Sequence, residues 1–317
     1  MTSREEIIRV VSSNDSTVLS FKDRGPWGDN KYRGNCSGYI HAFLAWKYQV
    51  KKMAELFAGS GTGYDVCKDL GIEYIGADLN PSPVREGIIT LDAIKDPVPD
   101  EFDGADFLFM HPPYGKEIKI PYAGSMWADP TGELKHSDLG QMEWNVFMKE
   151  LNSVVMKYYS AMDYGSRMGI LIGDVRRNGL HSMLTDIVKP GSLEQIIIKM
   201  QNNASSNLSG CSYGGRKSFV PLVHEYLMVI KKNSLLAIRY QVPVRREKDI
   251  RDTGARWKDV VYACLKERGA KSLPEIYQMI EGHEKTKSNP NWQAKIRQTL
   301  QKYPCFRNES LGVWSAA

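Results

Sequence analysis

Short, largely apolar runs fall at 53–57, 73–79, 106–110 and 168–175, the length and pattern of strands buried on both faces. Between these runs the period changes. Residues 63–70 and 142–162 carry apolar side chains at helical spacing, in the longer stretch Trp144, Phe147, Met148, Leu151, Val154, Val155 and Tyr158, which predicts helices laid against a sheet. Strand and helix alternate, so the expected fold class is α/β with parallel strands and crossover helices. Two more strand-like runs, 193–201 and 224–232, flank a polar Ser/Asn/Gly-rich stretch at 202–218; they predict an antiparallel hairpin at the sheet edge, closed by a long loop.

The pattern changes near Asn233. Residues 244–256 are charged and poor in apolar side chains, which suits a linker. The expected division is therefore 1–232 for the α/β unit, 233–256 for a basic linker and 257–317 for a small C-terminal unit. In that last part, 257–268, the start signal Ser272-Leu273-Pro274-Glu275, and 291–302 predict three helices. Residues 305–307 and 312–314 predict a β-wing, and together they make a winged helix of about 60 residues. Trp257, Trp292, Phe306 and Trp314 fall within the apolar pattern and are expected in its core.

The chain has 317 residues with 42 Lys+Arg against 37 Asp+Glu, a net charge of +5. The distribution matters more than the sum: from Asn233 onward there are 16 basic and 9 acidic residues, so the positive charge sits at the C-terminal end, where it suits a nucleic-acid partner. The five cysteines are far apart and never spaced as CxxC, which argues against a disulfide framework and against structural zinc; no metal is expected. No apolar run approaches the roughly 18 residues of a membrane span. The expectation is a soluble, cytoplasmic protein that is not bound to membrane.

Two motifs carry chemistry. In the first, Glu55-Leu56-Phe57-Ala58-Gly59-Ser60-Gly61-Thr62-Gly63 runs from a strand into glycines where a helix begins, and Asp78 ends the next strand about twenty residues on. Such glycines let the backbone approach a ligand, and such an acid accepts hydrogen bonds from two ribose hydroxyls, so a nucleoside cofactor fits; a plain tight strand-to-helix connection is the alternative. The loop lacks the Lys-Ser/Thr pair of a P-loop, which disfavours ATP hydrolysis. In the second, the strand at 106–110 ends abruptly in His111-Pro112-Pro113-Tyr114. Two prolines fix a rigid loop at the strand end, where open α/β sheets bind ligands. The Pro112 carbonyl and the His111 ring nitrogen are candidate acceptors for an exocyclic amine, and Tyr114 offers a face for a base to stack on. A cis-proline turn over a core aromatic is the alternative.

Together these motifs resemble the amino-group DNA methyltransferases, which use S-adenosylmethionine to modify adenine N6 or cytosine N4. Phe57-Ala58-Gly59-Ser60-Gly61 matches that family's FxGxG-like loop. His111-Pro112-Pro113-Tyr114 matches its (Asp/Asn/Ser)-Pro-Pro-(Tyr/Phe/Trp) loop, with His111 as the departure. The likeness covers about residues 27–232 and implies a Rossmann-like, seven-stranded, mostly parallel sheet. It also implies catalytic roles for His111, Pro112, Pro113 and Tyr114. The implied cofactor site comprises Glu55, Phe57, Gly59, Gly61, Thr62, Asp78 at the ribose and Asp92 at the adenine amine; a helix cap is the alternative for Asp92. The glycine-rich segment at 26–38, with Trp27, Asn35 and Ser37, looks like the motif that closes over the methionine end. This order resembles the γ arrangement of these enzymes.

The implied partner is double-stranded DNA, with a cognate restriction nuclease as a candidate partner. Arg176 and Arg177, just past a strand end, and Arg216 and Lys217 in the polar loop are the expected phosphate contacts. The C-terminal unit resembles HARE-type helix-turn-helix modules, with Gln293, Lys295, Arg297 and Gln298 as readers of base edges; a solvated helix face is the alternative. The implied reaction is methyl transfer to the amine of a flipped base, adenine N6 favoured. Cytosine N4, RNA guanine N2 and a catalytically decayed DNA-binding regulator are the other readings.

Overall fold

The computed structural model describes residues 2–118, 120–176, 179–202, 220–233 and 256–316. Its largest sheet is built from β1 (Val18–Leu19), β2 (Lys52–Leu56), β3 (Glu73–Asp78), β4 (Ile88–Thr90), β5 (Phe107–Met110), β6 (Arg167–Ile172), β9 (Ser192–Met200) and β10 (His224–Lys231). The strand order is β1-β9-β10-β6-β5-β2-β3-β4. Every pairing is parallel except those of β10, which runs against both β6 and β9. This is a Rossmann-like α/β sheet. It has eight strands where seven were expected, because the two residues of β1 pair with β9 outside the hairpin. The antiparallel strand therefore lies inside the sheet, between β6 and β9.

Alternation along each strand feeds two cores. Phe107 and Phe109 of β5 face one side with Met53, Leu171, Leu227 and Val229, where α1 (Arg4–Ser12), α2 (Gly38–Lys47) and α3 (Thr62–Leu70) supply Ile7, Phe43 and Val66. Leu108 and Met110 face the other side, where α4 (Trp144–Ala161) supplies Phe147, Leu151, Val154 and Tyr158. Both faces are covered, so the strands read as continuous apolar runs. Chain order reverses between β2 and β5: β3 and β4 lie beyond β2, β6 beyond β5. That reversal opens a crevice at the carboxyl ends of the two strands.

Beyond β6 the chain breaks at Gly173 into a small hairpin, β7 (Asp174–Arg176) with β8 (Leu180–Ser182), followed by α5 (Met183–Asp186). The C-terminal residues form α6 (Trp257–Arg268), β11 (Lys271–Ser272), α7 (Leu273–Ile280), α8 (Glu284–Lys287), α9 (Trp292–Lys302), β12 (Phe306–Ser310) and β13 (Val313–Ala316). Helix α7 starts where expected: Glu275 reaches back to accept from the Ser272 amide at 2.8 Å. These helices bury their own core of Val261, Leu265, Ile276, Ile280, Ile296, Leu300 and Phe306, with Trp257, Trp292 and Trp314 packed on it. The three strands form a sheet in the order β11-β13-β12.

This unit meets the main body at the amino-terminal edge of the large sheet. Asp103, just before β5, receives Arg256 and, at 3.0 Å, the Tyr303 hydroxyl. Asp163, just before β6, receives Arg256 at 3.3 Å and Lys258. Lys232, directly after β10, is fully buried at the same edge and donates to the Ser160 and Met162 carbonyls at 2.8 and 2.6 Å. Among the described residues no helix is long and apolar enough to cross a membrane.

Candidate active site

A cleft of about 850 Å³ opens at the crevice between β2 and β5. Because Leu56 and Met110 are paired across these strands, the two loops that follow leave the sheet side by side. The glycine loop and the His-Pro-Pro-Tyr loop therefore share one wall. The first loop turns through left-handed backbone at Phe57 (φ 61°), Gly59 (φ 51°) and Gly61 (φ 79°). A phenylalanine in that region is strained, and such strain persists where the surroundings impose it. Gly63, in the first turn of α3, is required for another reason: a Cβ there would lie 2.0 Å from Glu55 Oε2.

Asp78 ends β3 beneath this loop. One oxygen accepts from the Gly59 amide at 2.8 Å and the other from the Asn80 amide at 2.9 Å. Burial raises its pKa from the ordinary carboxylate value, against the pull of those two amides. Each oxygen keeps a further lone pair for a ligand. Leu79, Leu91, Ala93 and Ile94 give the adjoining wall an apolar surface, and the buried Ser137 hydroxyl in the opposite wall has no hydrogen-bond partner among the described residues.

That opposite wall comes from the segment after the proline loop. Asp138, 2 % exposed, accepts from the Tyr122, Ala123 and Gly140 amides at 2.8 to 2.9 Å and from the Gln141 amide group. It folds residues 120–141 over the cleft, where Tyr122 stacks on Tyr32 at 5.9 Å. Tyr122, Trp127 and Asp138 had no local signal in the sequence, and Tyr32, although within the 26–38 segment, was not singled out there; only the closed turn brings them together.

The expected cofactor residues divide. Asn35, Glu55, Phe57, Gly59, Thr62 and Asp78 line the cleft, and Thr62 donates to Asn35 across it. Gly61 supplies the turn into α3. Trp27 does not line the cleft: its ring is buried against Tyr39 and its Nε1 donates to Asp69 at 3.0 Å. Ser37 caps α2 by accepting from the Tyr39 amide. Asp92 caps the turn that follows it, accepting from the Ile94 and Lys95 amides at 3.0 and 3.2 Å. In these three, a core indole and two caps satisfy the side chains locally.

The proline loop also differs in detail from expectation. No peptide bond among the described residues is cis. His111 and Pro113 line the cleft, while Pro112 is buried. Tyr114 donates to Glu225 Oε1 at 2.7 Å, and its ring closes over Gly173. The His111 Nε2 lies 3.4 Å from that hydroxyl and 3.7 Å from Glu225 Oε1, so it does not offer a free acceptor to an amine. Glu225, on β10, also receives Lys199 of β9 at 2.5 Å. Burial would raise this carboxyl, but His111 and Lys199 together hold it well below the usual range. Burial opposes charge on His111 too, yet Cys36 and Glu225 raise it to about 9.

The expected DNA contacts are spread further. Arg176 is exposed on β7 at the cleft edge of the sheet, whereas Arg177, Arg216 and Lys217 lie outside the described residues, as does most of the 202–218 loop and of the 233–256 linker. On α9, Gln293 is exposed and Arg297 donates to the Tyr277 hydroxyl at 2.8 Å. Lys295 and Gln298 instead line a second cavity with Asp100, Asp103, Arg256 and Tyr303. Half of this polar set therefore borders the space between α9 and the main body.

No protein-family model and no curated protein matches the chain. Among solved structures it is similar to a SAM-dependent methyltransferase from Archaeoglobus fulgidus (15% identity, TM-score 0.32, covering 61% of this chain and 93% of that one). It is similar also to human N-acetylserotonin methyltransferase in complex with SAM (11%, 0.30, 73% and 57%) and to the plantazolicin methyltransferase BpumL in complex with SAH (11%, 0.29, 61% and 81%). Likenesses this loose say nothing of the reaction, which has to be read from this chain's own residues.

Proposed function

We propose that the protein transfers a methyl group from S-adenosylmethionine to the exocyclic amine of a base flipped out of double-stranded DNA, adenine N6 in the first instance. The observation that carries this reading is the shared cleft of the glycine loop and the His-Pro-Pro-Tyr loop. Asp78 would hold the ribose hydroxyls; the left-handed turn at Gly59 and Gly61 would admit the amino-acid end; Leu91, Ala93 and Ile94 would pack the adenine. When bound, this cofactor supplies an electrophilic methyl group. The unpartnered Ser137 hydroxyl and the apolar wall fit a mixed polar and aromatic ligand of that kind.

An exocyclic amine is a poor nucleophile because its lone pair is delocalised into the ring, so alignment carries much of the work. With His111 turned toward Glu225, the acceptor that this loop offers the amine is the Pro112 carbonyl. Its pull on an amine hydrogen favours a pyramidal nitrogen and stabilises the positive charge growing there. Glu225 positions the Tyr114 ring through its hydroxyl, and residues 120–141 exclude water from the cleft. Flipping costs a few kcal/mol; Arg176, with Arg177, Arg216 and Lys217, would offset it by gripping phosphates. The C-terminal helices and three-stranded sheet would act as a winged helix of the HARE type, with Gln293 and Arg297 turned outward to read bases.

Incubation with labelled cofactor and duplex DNA, RNA or no acceptor, followed by mass spectrometry of the digested nucleosides, tests the reading. N6-methyladenine in DNA is the expected product. N4-methylcytosine would reassign the base, N2-methylguanine in RNA would reassign the substrate, and binding of DNA without transfer to any acceptor would leave a regulator.

A further inference from the structure

Among the described cysteines, Cys36 alone lines the cleft; it is 6 % exposed and packs in the same core as Cys67, while Cys264 is buried in the C-terminal core and Cys305 is half-buried. Its surroundings are unlike those of the others. The thiol lies 3.9 Å from His41 Nδ1. The far nitrogen of His41 donates to Glu55 Oε1 at 2.8 Å, and Glu55 Oε2 accepts from Tyr74 at 2.6 Å. His111 lines the same cleft and stands against Glu225, itself held by Tyr114 and Lys199. One imidazole–carboxylate pair, from α2 with β2, therefore stands against the sulfur, and a second, from the end of β5 with β10, borders the same cleft. The order thiol, imidazole, carboxylate is that of an activated nucleophile, its base and the group that orients the base.

A second observation points to a ligand in the same space. Ser137 is 6 % exposed and lines this cleft, and its buried hydroxyl has no hydrogen-bond partner among the described residues. The cleft thus holds both a nucleophile and an unmet polar contact.

We propose that Cys36 is a covalent site of this cleft, capturing soft carbon electrophiles of the haloacetamide class as thioethers. In that step an S–C bond forms at Cys36 Sγ as the carbon–halogen bond breaks, and the electron pair leaves with the halide; the sulfur reacts as the thiolate, so no proton moves. The site depends on Cys36 and its neighbours and not on the methyl-transfer reading. The electrostatics agree: burial alone would raise the thiol, but the charges and hydrogen bonds of His41 and His111 outweigh it and bring it down to about 6. The Cys67 thiol, without such neighbours, is raised by burial.

The test is alkylation of the full-length protein with iodoacetamide, read peptide by peptide by mass spectrometry from pH 5 to 9. The Cys36 rate should rise with a midpoint near 6. At pH 6.5 it should exceed that of free cysteine severalfold, since most of Cys36 is thiolate against about 1 % of an ordinary thiol, a gain partly offset by the lower intrinsic nucleophilicity of a low-pKa sulfur. His41→Gln should move the midpoint up by a unit or more. His111→Gln, at a loop position, should move it the same way and serves if the buried His41 variant fails to fold. Labelling of Cys36 only after denaturation, or a wild-type midpoint at the ordinary thiol value near 8.5, would overturn the proposal.

Discussion

At the edge where β2 and β5 end, Glu55, Asp78 and Glu225 lie buried beneath an open cleft, each tied to a histidine, a lysine or a backbone amide. At the opposite edge, Asp103 and Asp163 are tied to Arg256, Lys258 and Tyr303 of the C-terminal unit. Both edges set carboxylates against cations, but they differ in what is left over. The first keeps left-handed backbone, a buried serine hydroxyl with no hydrogen-bond partner among the described residues, and a histidine-paired thiol on the wall of the cleft. The second closes most of its charges on another part of the chain, and even there Arg256 Nε meets the buried Asp259 carboxylate as an ion pair at 3.5 Å without a hydrogen bond. The two edges are thus told apart by what their polar groups meet, an open cleft or another part of the chain, and not by how many of those groups folding leaves without a hydrogen bond.

This contrast can be broken by substitution. Tyr114→Ala should have the largest effect, lowering turnover on DNA by about 100-fold or more because base stacking is lost, while affinity for S-adenosylhomocysteine stays within about threefold as the cofactor half of the cleft is untouched. Steady-state rates and calorimetric titration check the two halves of that statement; lost cofactor affinity at full maximal rate would contradict the stacking role. Gly63→Val should cost about 1–3 kcal/mol in urea unfolding, since the new Cβ meets the buried Glu55 carboxylate.

Stability should also fall as pH rises from about 7 to 8.5. His41 and His111 are raised from 6.5 to about 10 and about 9, so their contribution is whole below 6.5 and is lost as pH climbs through those values. Cys36 is lowered from 9.0 to about 6, which acts in the opposite sense: its contribution is whole above 9 and is lost as pH falls toward 6. Two histidines outweigh one thiol. Lys232, lowered by burial from 10.5 to about 8, takes back part of this as pH rises through 8, so the folded chain binds about half a proton more than the unfolded chain, a slope of roughly 0.7 kcal/mol per pH unit. Urea midpoints across that range check it; stability that rises with pH there would contradict the charge assignments. The smallest effect is expected at the other edge. Asp103→Ala should lower stability by about 1 kcal/mol, less in high salt, because it frees Arg256 and Tyr303, and should leave S-adenosylhomocysteine binding unchanged.

Much of the fold was legible because its signals are local. The central strands appear in the sequence as apolar runs bounded by breakers, and the observed β2, β3 and β5 begin and end within a residue or so of them. Strands β1 and β4 were missed because two or three residues carry no period. Helix α2 was missed because Ile40, Ala42, Phe43, Leu44 and Ala45 are buried nearly all round, leaving no polar face to mark it. In the site, the glycine turn and the proline loop were legible as motifs. The network joining Cys36, His41, Glu55, His111, Lys199 and Glu225 was not, because strand order, not sequence spacing, brings those side chains together. Asp92, Ser37 and Trp27 show the converse: a motif position can be satisfied by a cap or a core contact next to the site.

The most direct test of the shared cleft is calorimetric titration of S-adenosylhomocysteine into the wild-type protein and into Asp78→Ala. One site per chain is expected, with affinity about 10- to 100-fold weaker in the variant, the worth of one or two hydrogen bonds to a charged acceptor. Absence of binding to the wild type, or equal affinity in the two proteins, would contradict the assignment of the cleft.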